Sequence, residues 1–355
     1  MPEKTALSGL TREEISNLFT SLPSFRSNQI FSWIARGIKN FNQMTDLPLE
    51  LREYLGSSYL IRSCRTENRI RDNDGTIKLV ISLEDGIKIE SVLLSDEKKR
   101  YTACLSTQAG CPVGCVFCKT GTLGFRRNLS AAEIVEQFFL LAEEIPEAIS
   151  NIVIMGMGEP LLNLDNLRHA IGIISDPHGL NFSKRRITVS TSGIVKGIVD
   201  LADNGPSVRL AFSLVTADEK LRRLLIPSGA SDSLEHIKES LLYFQRSGGG
   251  RITLEIVLLG GINTRNEDAY SLVEFTKGLN TVINLIPWNA IEPVPSTRPK
   301  AEVSRVPVFD TPLREPTKDE ISGFVKHIRA SGLKVTCRYR KGLDVSGACG
   351  QLGYI

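Results

Sequence analysis

The chain of 355 residues is 41% hydrophobic and 23% charged, which is ordinary for a soluble globular protein, and its net charge is +3. No apolar run approaches the roughly 20 residues of a transmembrane helix, so we expect no membrane partner. The net charge is too small to indicate a nucleic-acid-binding protein by itself. The polar N-terminus predicts neither a signal nor a transit peptide, and we therefore expect a cytoplasmic protein.

The first part of the chain has the pattern of a small helical module. Thr11 and Glu14 form a capping box in front of an apolar run with helical spacing. Two further runs of this kind cover residues 29–36 and 48–55. We therefore predict a helical accessory domain over residues 1–60.

Two segments with alternating apolar residues come next. They cover residues 77–83 and 87–94, and the turn between them ends on Gly86. This pattern predicts a β-hairpin, which we assign to a connector over residues 61–100. Glu90 is a polar residue within the second strand of the hairpin.

From residue 101 onward, predicted strands alternate with predicted helices, which is typical of a parallel sheet covered by helices. The predicted strands are Tyr101–Thr107, Asn151–Met155, Ile187–Thr191, Val208–Leu214, Ile252–Leu258 and Val282–Ile286. Six such units, rather than eight, favour a barrel that is open on one side. The predicted fold class is thus α/β, with a partial (β/α)6 barrel over residues 101–291, and ligands are expected at the carboxyl ends of its strands.

The most informative motif directly follows the first of these strands. Cys111, Cys115 and Cys118 have the spacing C-x3-C-x2-C. Three thiolates this close together can hold a [4Fe–4S] cluster and leave one iron without a protein ligand. An open iron can bind a substrate or a cofactor, whereas a cluster used only for electron transfer is usually closed by a fourth cysteine.

Two other uses of these cysteines fit the sequence less well. Zinc takes four ligands, and no histidine lies near the motif to complete the set. A disulfide framework is disfavoured, because three close cysteines cannot pair among themselves and no secretory signal precedes them.

Polar or glycine-containing segments also end several of the other predicted strands. These segments are residues 155–160 after the second strand, 190–193 after the third, 213–215 after the fourth and 287–289 after the sixth. Each is compatible with an ordinary turn. Together they surround one site at the rim of the predicted barrel.

The last part of the chain, residues 292–355, is predicted to be a C-terminal segment outside the barrel. A Pro-rich crossing segment covers residues 292–316, a helix begins after Thr317, and a strand covers residues 333–338. The glycine-rich end contains Cys349. A free cysteine in such a segment is often inert, so the sequence pattern alone gives it no role.

An open-iron cluster at the mouth of a partial barrel resembles the radical S-adenosylmethionine (SAM) enzymes. Longer motifs narrow the resemblance to the radical-SAM RNA methyltransferases of the RlmN/Cfr type, which modify an adenine carbon in large-subunit ribosomal RNA and, in some members, tRNA. The motifs are QAGC at 108–111, GFRRNL at 124–129, MGMGEPLLN at 155–163, SKRRITVSTSG at 183–193 and ACGQL at 348–352. The resemblance covers nearly the whole chain. Carbon C2 is favoured over C8, because Pro160 follows Gly-Glu as in the C2 enzymes.

The resemblance implies two cofactors, a [4Fe–4S] cluster on Cys111, Cys115 and Cys118 and SAM on the open iron. An electron from a donor such as flavodoxin or ferredoxin then releases a 5′-deoxyadenosyl radical. The implied SAM contacts are Gly158, Glu159, Ser190, Ser213, Leu214, Val215 and Asn289. Glu159 is expected to accept a hydrogen bond from the ammonium group of SAM.

The resemblance also implies roles for three residues outside the cluster. Cys349 takes a methyl group from one SAM molecule and passes it to adenine through an S-methylcysteine intermediate. Glu90 accepts the proton that leaves the adenine ring. Cys104 attacks the sulfur of Cys349, and the transient disulfide releases the product and is later reduced.

The sequence departs from the family pattern where RNA and SAM are held. Val215 stands where the family commonly has histidine. Basic residues that flank the predicted site are expected to hold phosphates, and they are Arg126, Arg127, Arg338, Arg340 and Lys341. The departure at Val215 leaves the cluster cysteines, Glu90, Cys104 and Cys349 in place. It bears on how SAM is bound and on which RNA is bound.

Two alternatives stay open from the sequence. A radical-SAM enzyme with a non-RNA substrate would keep the cluster and SAM residues but would not need Cys349, Cys104 and Glu90 together. A non-enzymatic iron–sulfur carrier would have a fourth cluster cysteine and no SAM pocket, which the segments around Glu159 and Ser190 disfavour.

Overall fold

The structure of the chain is a computed structural model that describes residues 4–227, 232–291, 312–337 and 341–353. Its α-helices are α1 (Arg12–Leu18), α2 (Ser24–Ala35), α3 (Leu49–Ser58), α4 (Lys119–Thr122), α5 (Ala131–Ala142), α6 (Leu164–Ser175), α7 (Val195–Asn204), α8 (Glu219–Leu225), α9 (Leu234–Phe244), α10 (Asn266–Thr276) and α11 (Lys318–Ala330). Its strands are β1 (Arg65–Arg71), β2 (Ile77–Ser82), β3 (Lys88–Ser95), β4 (Tyr101–Cys104), β5 (Gln108–Gly110), β6 (Phe125–Asn128), β7 (Ile149–Ile154), β8 (Ile187–Thr191), β9 (Arg209–Ser213), β10 (Ile252–Leu258), β11 (Thr281–Pro287) and β12 (Val335–Cys337).

Ten of these strands form one mixed sheet, in the order β1-β2-β3-β4-β7-β8-β9-β10-β11-β12. The six strands β4 and β7 to β11 are parallel to one another, and their order in the sheet is the same as their order along the chain. This arrangement confirms the predicted partial barrel. Their apolar side chains are buried under the helices, as expected for parallel strands that are covered on both faces. The carboxyl ends of all six strands therefore meet at one rim.

The predicted hairpin is also confirmed, and it extends the barrel sheet. Strands β2 and β3 pair antiparallel, with Val80 opposite Glu90, and β3 continues antiparallel onto β4. Strand β1 adds an outer strand that was not predicted. Its sequence is largely charged and its residues are mostly exposed, so it lacks the alternation by which a half-buried strand is recognised.

The N-terminal helices are fastened to the barrel by one buried carboxylate. Thr11 caps α1 as predicted, with its side chain accepting from the backbone N–H of Glu14. Glu136, fully buried on α5, accepts hydrogen bonds from the Ser8 hydroxyl at 2.5 Å and from the Cys64 backbone N–H at 2.6 Å. A charged acceptor of this kind makes stronger hydrogen bonds than a neutral one, so it fixes the orientation of the module.

Some predictions are corrected or lie outside the described residues. The strand predicted over Tyr101–Thr107 ends at Cys104, and Gln108–Gly110 instead pairs with β6 in a separate two-stranded ribbon. Most of the Pro-rich segment and residues 338–340 are outside the described residues. The division of the chain at residues 60, 100 and 291 stays a prediction. In the described parts of the chain, every helix is too short or too polar to cross a lipid bilayer.

Candidate active site at the rim of the partial barrel

The three motif cysteines lie in the loop that joins β5 to α4, at the carboxyl rim of the barrel. The backbone N–H of Cys111 donates to the Gly124 carbonyl at 3.0 Å, and the N–H of Cys118 donates to the Cys115 carbonyl at 3.2 Å. The indole N–H of Trp288 holds the loop from the other side by donating to the Phe117 carbonyl at 2.9 Å. The three cysteines all line one large cavity.

In this buried loop the cysteines favour the neutral thiol over the charged thiolate. Burial raises the pKa of Cys111 to about 12. Burial also raises the pKa of Cys115, and the nearby Cys118 and Cys111 raise it further. Bound iron supplies the positive charge that keeps such thiols deprotonated, so the site is suited to a metal cluster.

The arrangement fits a cluster better than a single ion. Among the described residues, no three His, Cys, Asp or Glu side chains converge on one ion position. Each thiolate of a [4Fe–4S] cube binds a different iron, so cluster ligands need not converge as the ligands of zinc do. The three cysteines would hold the cluster and leave one iron facing the cavity.

Gly158 and Glu159, which follow β7, form one wall of the cavity. Gly158 has a φ of +105°, and an added Cβ would lie 2.6 Å from the Cβ of Gln108, so only glycine fits. The Glu159 carboxylate accepts from the backbone N–H groups of Ser192 at 2.7 Å and Leu161 at 3.1 Å. Burial raises the pKa of Glu159, although these hydrogen bonds oppose the shift.

The opposite wall carries polar atoms that suit a polar cofactor. Ser190, Ser213 and Asn289 line the cavity, as predicted from the ends of their strands. The Oδ1 atom of Asn289 and the hydroxyl of Ser192 are buried and have no hydrogen-bond partner within the described part of the chain. Buried polar atoms are normally satisfied, so these two are available to a bound molecule such as SAM.

The turn after β9 is strained at the cavity wall. Val215 lines the cavity and has a φ of +64°, a left-handed conformation that is costly for a β-branched residue. The Asn263 side chain holds this turn by donating to the Val215 carbonyl at 2.9 Å. Leu214 is fully buried and, unlike its neighbours Ser213 and Val215, is not part of the cavity wall.

The C-terminal segment 341–353 closes the cavity and brings Cys349 to it. The backbone N–H of Lys119 donates to the Gly350 carbonyl at 2.8 Å, and the Thr120 hydroxyl donates to the Leu352 carbonyl at 2.6 Å. Asn289 Nδ2 donates to the carbonyl of Cys349 itself at 3.3 Å. The segment thus rests on the cluster loop, and the Cys349 residue is exposed at the cavity.

Cys104 and Glu90 reach the same region from neighbouring strands. Cys104 ends β4, is buried and lines the cavity. Glu90 is 3% exposed and lies behind the C-terminal segment rather than on the cavity wall. Its carboxylate accepts from the Gly353 backbone N–H at 2.6 Å and lies 3.0 Å from the ammonium group of Lys78.

Several residues of this region were missed from the sequence. Lys78 was missed, although it lies on the same face of the hairpin as the predicted residue Glu90. A polar residue on each of two apolar strands was a usable signal for this pair. Glu255, a buried carboxylate on the cavity wall, accepts from the Asn284 amide at 2.5 Å. Arg222, which is 1% exposed on α8, had no sequence signal that separated it from the exposed arginines.

Among the predicted phosphate contacts, Arg126 and Arg127 differ in environment. Arg126 is exposed on β6, whereas the Arg127 guanidinium is bound to Asp85 at 2.7 Å and to Glu133 at 2.8 Å. These carboxylates, Glu133 first, raise the pKa of Arg127 above its ordinary value. The Lys341 ammonium group donates to the Ser95 carbonyl. The predicted contacts at residues 338 and 340 lie outside the described residues.

Comparison with known proteins agrees with this geometry. Residues 105–273 match the model of the radical SAM superfamily, and residues 5–61 match that of the ribosomal RNA large subunit methyltransferase N-terminal domain. A crystal structure of a radical SAM methyltransferase from Sphaerobacter thermophilus superimposes with a TM-score of 0.89 at 35% identity, covering 98% of this chain and 99% of that one. The fold and the site thus define a SAM-dependent methyltransferase of the radical SAM superfamily, which uses a [4Fe–4S] cluster and SAM.

Full-length relatives narrow this class. A protein of Treponema denticola is 47% identical over 99% of this chain and 96% of its own length, and its name is "Probable dual-specificity RNA methyltransferase RlmN". A protein of Treponema pallidum with the same name is 45% identical over 98% of this chain and 97% of its own length. The chain belongs to the RlmN family.

Proposed function

We propose that the protein methylates a ring carbon of adenosine in RNA, at C2 rather than C8, in ribosomal RNA and in tRNA. The observation that carries this proposal is that Cys104, Cys349 and the three motif cysteines line one cavity. Transfer of a methyl group to an aromatic carbon through a protein thiol needs this combination of thiols and cluster. The names of the RlmN relatives support RNA as the substrate class.

The chain's own residues have distinct proposed roles in binding the cofactors. Cys111, Cys115 and Cys118 hold the cluster, and Gly158, Glu159, Ser190, Ser213, Val215 and Asn289 contact SAM. When bound, the cluster and SAM supply a methyl group and a 5′-deoxyadenosyl radical. Residues of the C-terminal segment form part of the cavity wall, so they help to exclude water from this reactive chemistry.

The proposed chemistry then depends on three side chains. The thiolate of Cys349 accepts a methyl group from SAM. That methyl group gives one hydrogen atom to the 5′-deoxyadenosyl radical, and the remaining methylene bonds to the adenine carbon, with one electron that would return to the cluster. The Glu90 carboxylate accepts the ring proton. The thiolate of Cys104 attacks the sulfur of Cys349, so that a disulfide forms as the bond from that sulfur to the product carbon breaks, and this carbon takes up a proton to become the methyl group. A reductant then restores both thiols, which suits a reducing compartment such as the cytoplasm.

In the conformation described here, Glu90 does not line the cavity and its carboxylate is bound to other groups of the protein. Both oxygens of its carboxylate are engaged, one by Lys78 and one by the backbone N–H of Gly353. We propose that the C-terminal segment withdraws from Glu90 when RNA enters. The same movement would carry Cys349 between SAM and the adenine, so release of the base and delivery of the thiol are one event.

Methylation of Cys349 is tested directly on the purified holoenzyme. The protein is incubated with SAM that carries a deuterated methyl group, digested, and the peptide that contains Cys349 is analysed by mass spectrometry. We expect one labelled methyl on Cys349, which is lost when RNA is added under reducing conditions. A methyl group on Cys337, an exposed thiol away from the cavity, with none on Cys349, would contradict the proposal.

A further inference from the structure

Arg222 is the most deeply buried cation near the cavity, with 1% of its surface exposed. It lies on α8, which packs directly against the cluster loop. The backbone N–H of Val116 donates to the carbonyl of Leu225 on the same helix at 3.1 Å. Leu225 also packs with Val113 and Phe117 of the cluster loop. Arg222 is therefore built into the support of the loop that carries the three cysteines.

The guanidinium holds the ends of two barrel strands. Its Nε donates to the Leu214 carbonyl at 3.2 Å, and an Nη donates to the Ser192 carbonyl. Its planar group also lies over the Phe212 ring, with the guanidinium carbon 5.5 Å from the ring centre. These carbonyls belong to the turns after β8 and β9, so Arg222 fixes the spacing between two walls of the SAM cavity.

Burial of the Arg222 guanidinium is unfavourable, because the charged group loses its hydration. Burial lowers the pKa of Arg222 to about 10, although Cys115, Glu219 and Glu159 favour its charged form. A buried charge is retained only where other interactions compensate for its lost hydration. A cluster held by three thiolates carries a net negative charge, and reduction adds another. A fixed cation on α8, the helix that packs against the cluster loop, therefore stabilises the reduced cluster more than the oxidised one.

We propose that Arg222 is a positioning residue that fixes the β8 and β9 walls of the SAM cavity and that its charge raises the reduction potential of the cluster. The inference rests on Cys111, Cys115 and Cys118 being the cluster ligands. Its two parts make different demands on the side chain. The potential requires only a positive charge, whereas the positioning requires the planar fork that reaches two carbonyls at once.

Three variants separate these demands. Arg222→Met keeps similar bulk without charge, and Arg222→Lys keeps the charge without the fork. Arg223→Met is the matched control, because Arg223 is the next residue of α8, with a side chain 62% exposed and paired with Glu219 on the surface. For each reconstituted protein we would measure iron content, the cluster potential by redox titration followed by electron paramagnetic resonance, and SAM affinity by calorimetry on the oxidised protein.

We expect Arg222→Met to make reduction of the cluster at least tenfold less favourable, a shift of about 59 mV to more negative potential for one electron. Its affinity for SAM should fall about tenfold as well. Arg222→Lys should keep a potential near that of the wild type and lose SAM affinity. Arg223→Met should change neither quantity.

A potential for Arg222→Met equal to that of Arg223→Met, at full iron content, would overturn the electrostatic part of the inference. Wild-type SAM affinity in Arg222→Lys would overturn the positioning part, and this variant carries the test if Arg222→Met does not fold. Failure of the wild-type chain itself to assemble a cluster would instead refute the assignment of the three cysteines, which separates the two failures.

Discussion

At the scale of single residues, the Lys78–Glu90 pair joins the stability of the protein to its proposed chemistry. The two side chains are 8% and 3% exposed and their charged atoms lie 3.0 Å apart. Lys78 also donates to the Ser346 carbonyl at 3.4 Å, so it contacts the C-terminal segment as well. Removing one partner of a buried pair leaves an uncompensated charge, whereas removing both does not.

This pair gives a prediction in which stability and activity separate. Lys78→Met should lower the free energy of unfolding by about 3 kcal/mol, because Glu90 is left buried without its cation. The double variant Lys78→Met/Glu90→Leu should recover most of that loss and stay inactive, because it lacks the proposed base. Denaturant unfolding and a methylation assay on the same preparations measure both quantities.

The control is the pair of Lys88 on β3 and Glu67 on the neighbouring outer strand β1, whose side chains are 33% and 39% exposed. Lys88→Met should change stability by less than about 1 kcal/mol, because exposed ion pairs contribute little. Full activity in the double variant would refute the assignment of Glu90 as the proton acceptor.

At the scale of elements, the turn between β1 and β2 holds the C-terminal segment through backbone hydrogen bonds to a carboxylate. Asp74 accepts from the N–H of Gly342 at 2.8 Å and from the N–H of Thr76 at 2.8 Å. Burial raises the pKa of Asp74, but the hydrogen bonds outweigh it and leave the pKa below its ordinary value. A lowered pKa means that this contribution to stability is present above the unfolded-state pKa of about 4 and is lost as the pH falls through the folded-state value.

We therefore expect Asp74→Ala to loosen segment 341–353 without unfolding the barrel. Hydrogen exchange measured by mass spectrometry should be faster across this segment near neutral pH and unchanged in β7 to β11. In the wild-type protein the same loosening should appear only below about pH 4. Asp96→Ala is the control, because Asp96 accepts from Lys98 and Arg100 in its own turn. Equal protection of the segment in both variants would show that Asp74 does not hold it.

We predict that the β5–β6 ribbon beside the cluster loop contacts RNA. Phe125 is 47% exposed there and Arg126 follows it on the same strand. Stacking of a base on an aromatic ring contributes about 1–3 kcal/mol, so Phe125→Ala should weaken RNA binding about tenfold. Tyr270→Ala removes an aromatic ring that is 60% exposed on the outer helix α10 and should leave binding unchanged. Fluorescence anisotropy with a labelled RNA hairpin would measure both, and equal affinities would remove the ribbon from the RNA surface.

Across the molecule as a whole, the features that the sequence predicted correctly are those whose pattern lies within a few neighbouring residues. Thr11 with Glu14 and Thr317 with Glu320 are capping boxes that complete themselves within four residues, and both helices begin where predicted. The parallel strands are apolar runs with a buried pattern, and the cysteine spacing is contained in eight residues. Such features do not depend on the rest of the chain.

The remaining parts of the site depend on contacts between distant residues. Glu90 meets Gly353 across 263 positions, and nothing in either local sequence indicates that a backbone N–H of the C-terminal segment engages the proposed base. Likewise, the adjacent residues Arg222 and Arg223 have the same sequence context, but one is buried and the other is exposed because of how α8 packs. Both the Glu90–Gly353 contact and the burial of Arg222 depend on packing between distant parts of the chain. The periodicity of the sequence carries no information about such packing.

We propose that this chain methylates adenosine in RNA through Cys349. The most direct test is mass spectrometry of nucleosides from the ribosomal RNA and tRNA of cells that lack the gene, complemented with the wild-type chain or with Cys349→Ala. We predict that methyladenosine, identified as 2-methyladenosine against authentic standards, disappears on deletion and returns only with the wild-type chain. Unchanged methyladenosine in both RNA pools would contradict the assignment of RNA and favour a non-RNA substrate. Its return with Cys349→Ala would contradict the role of the thiol.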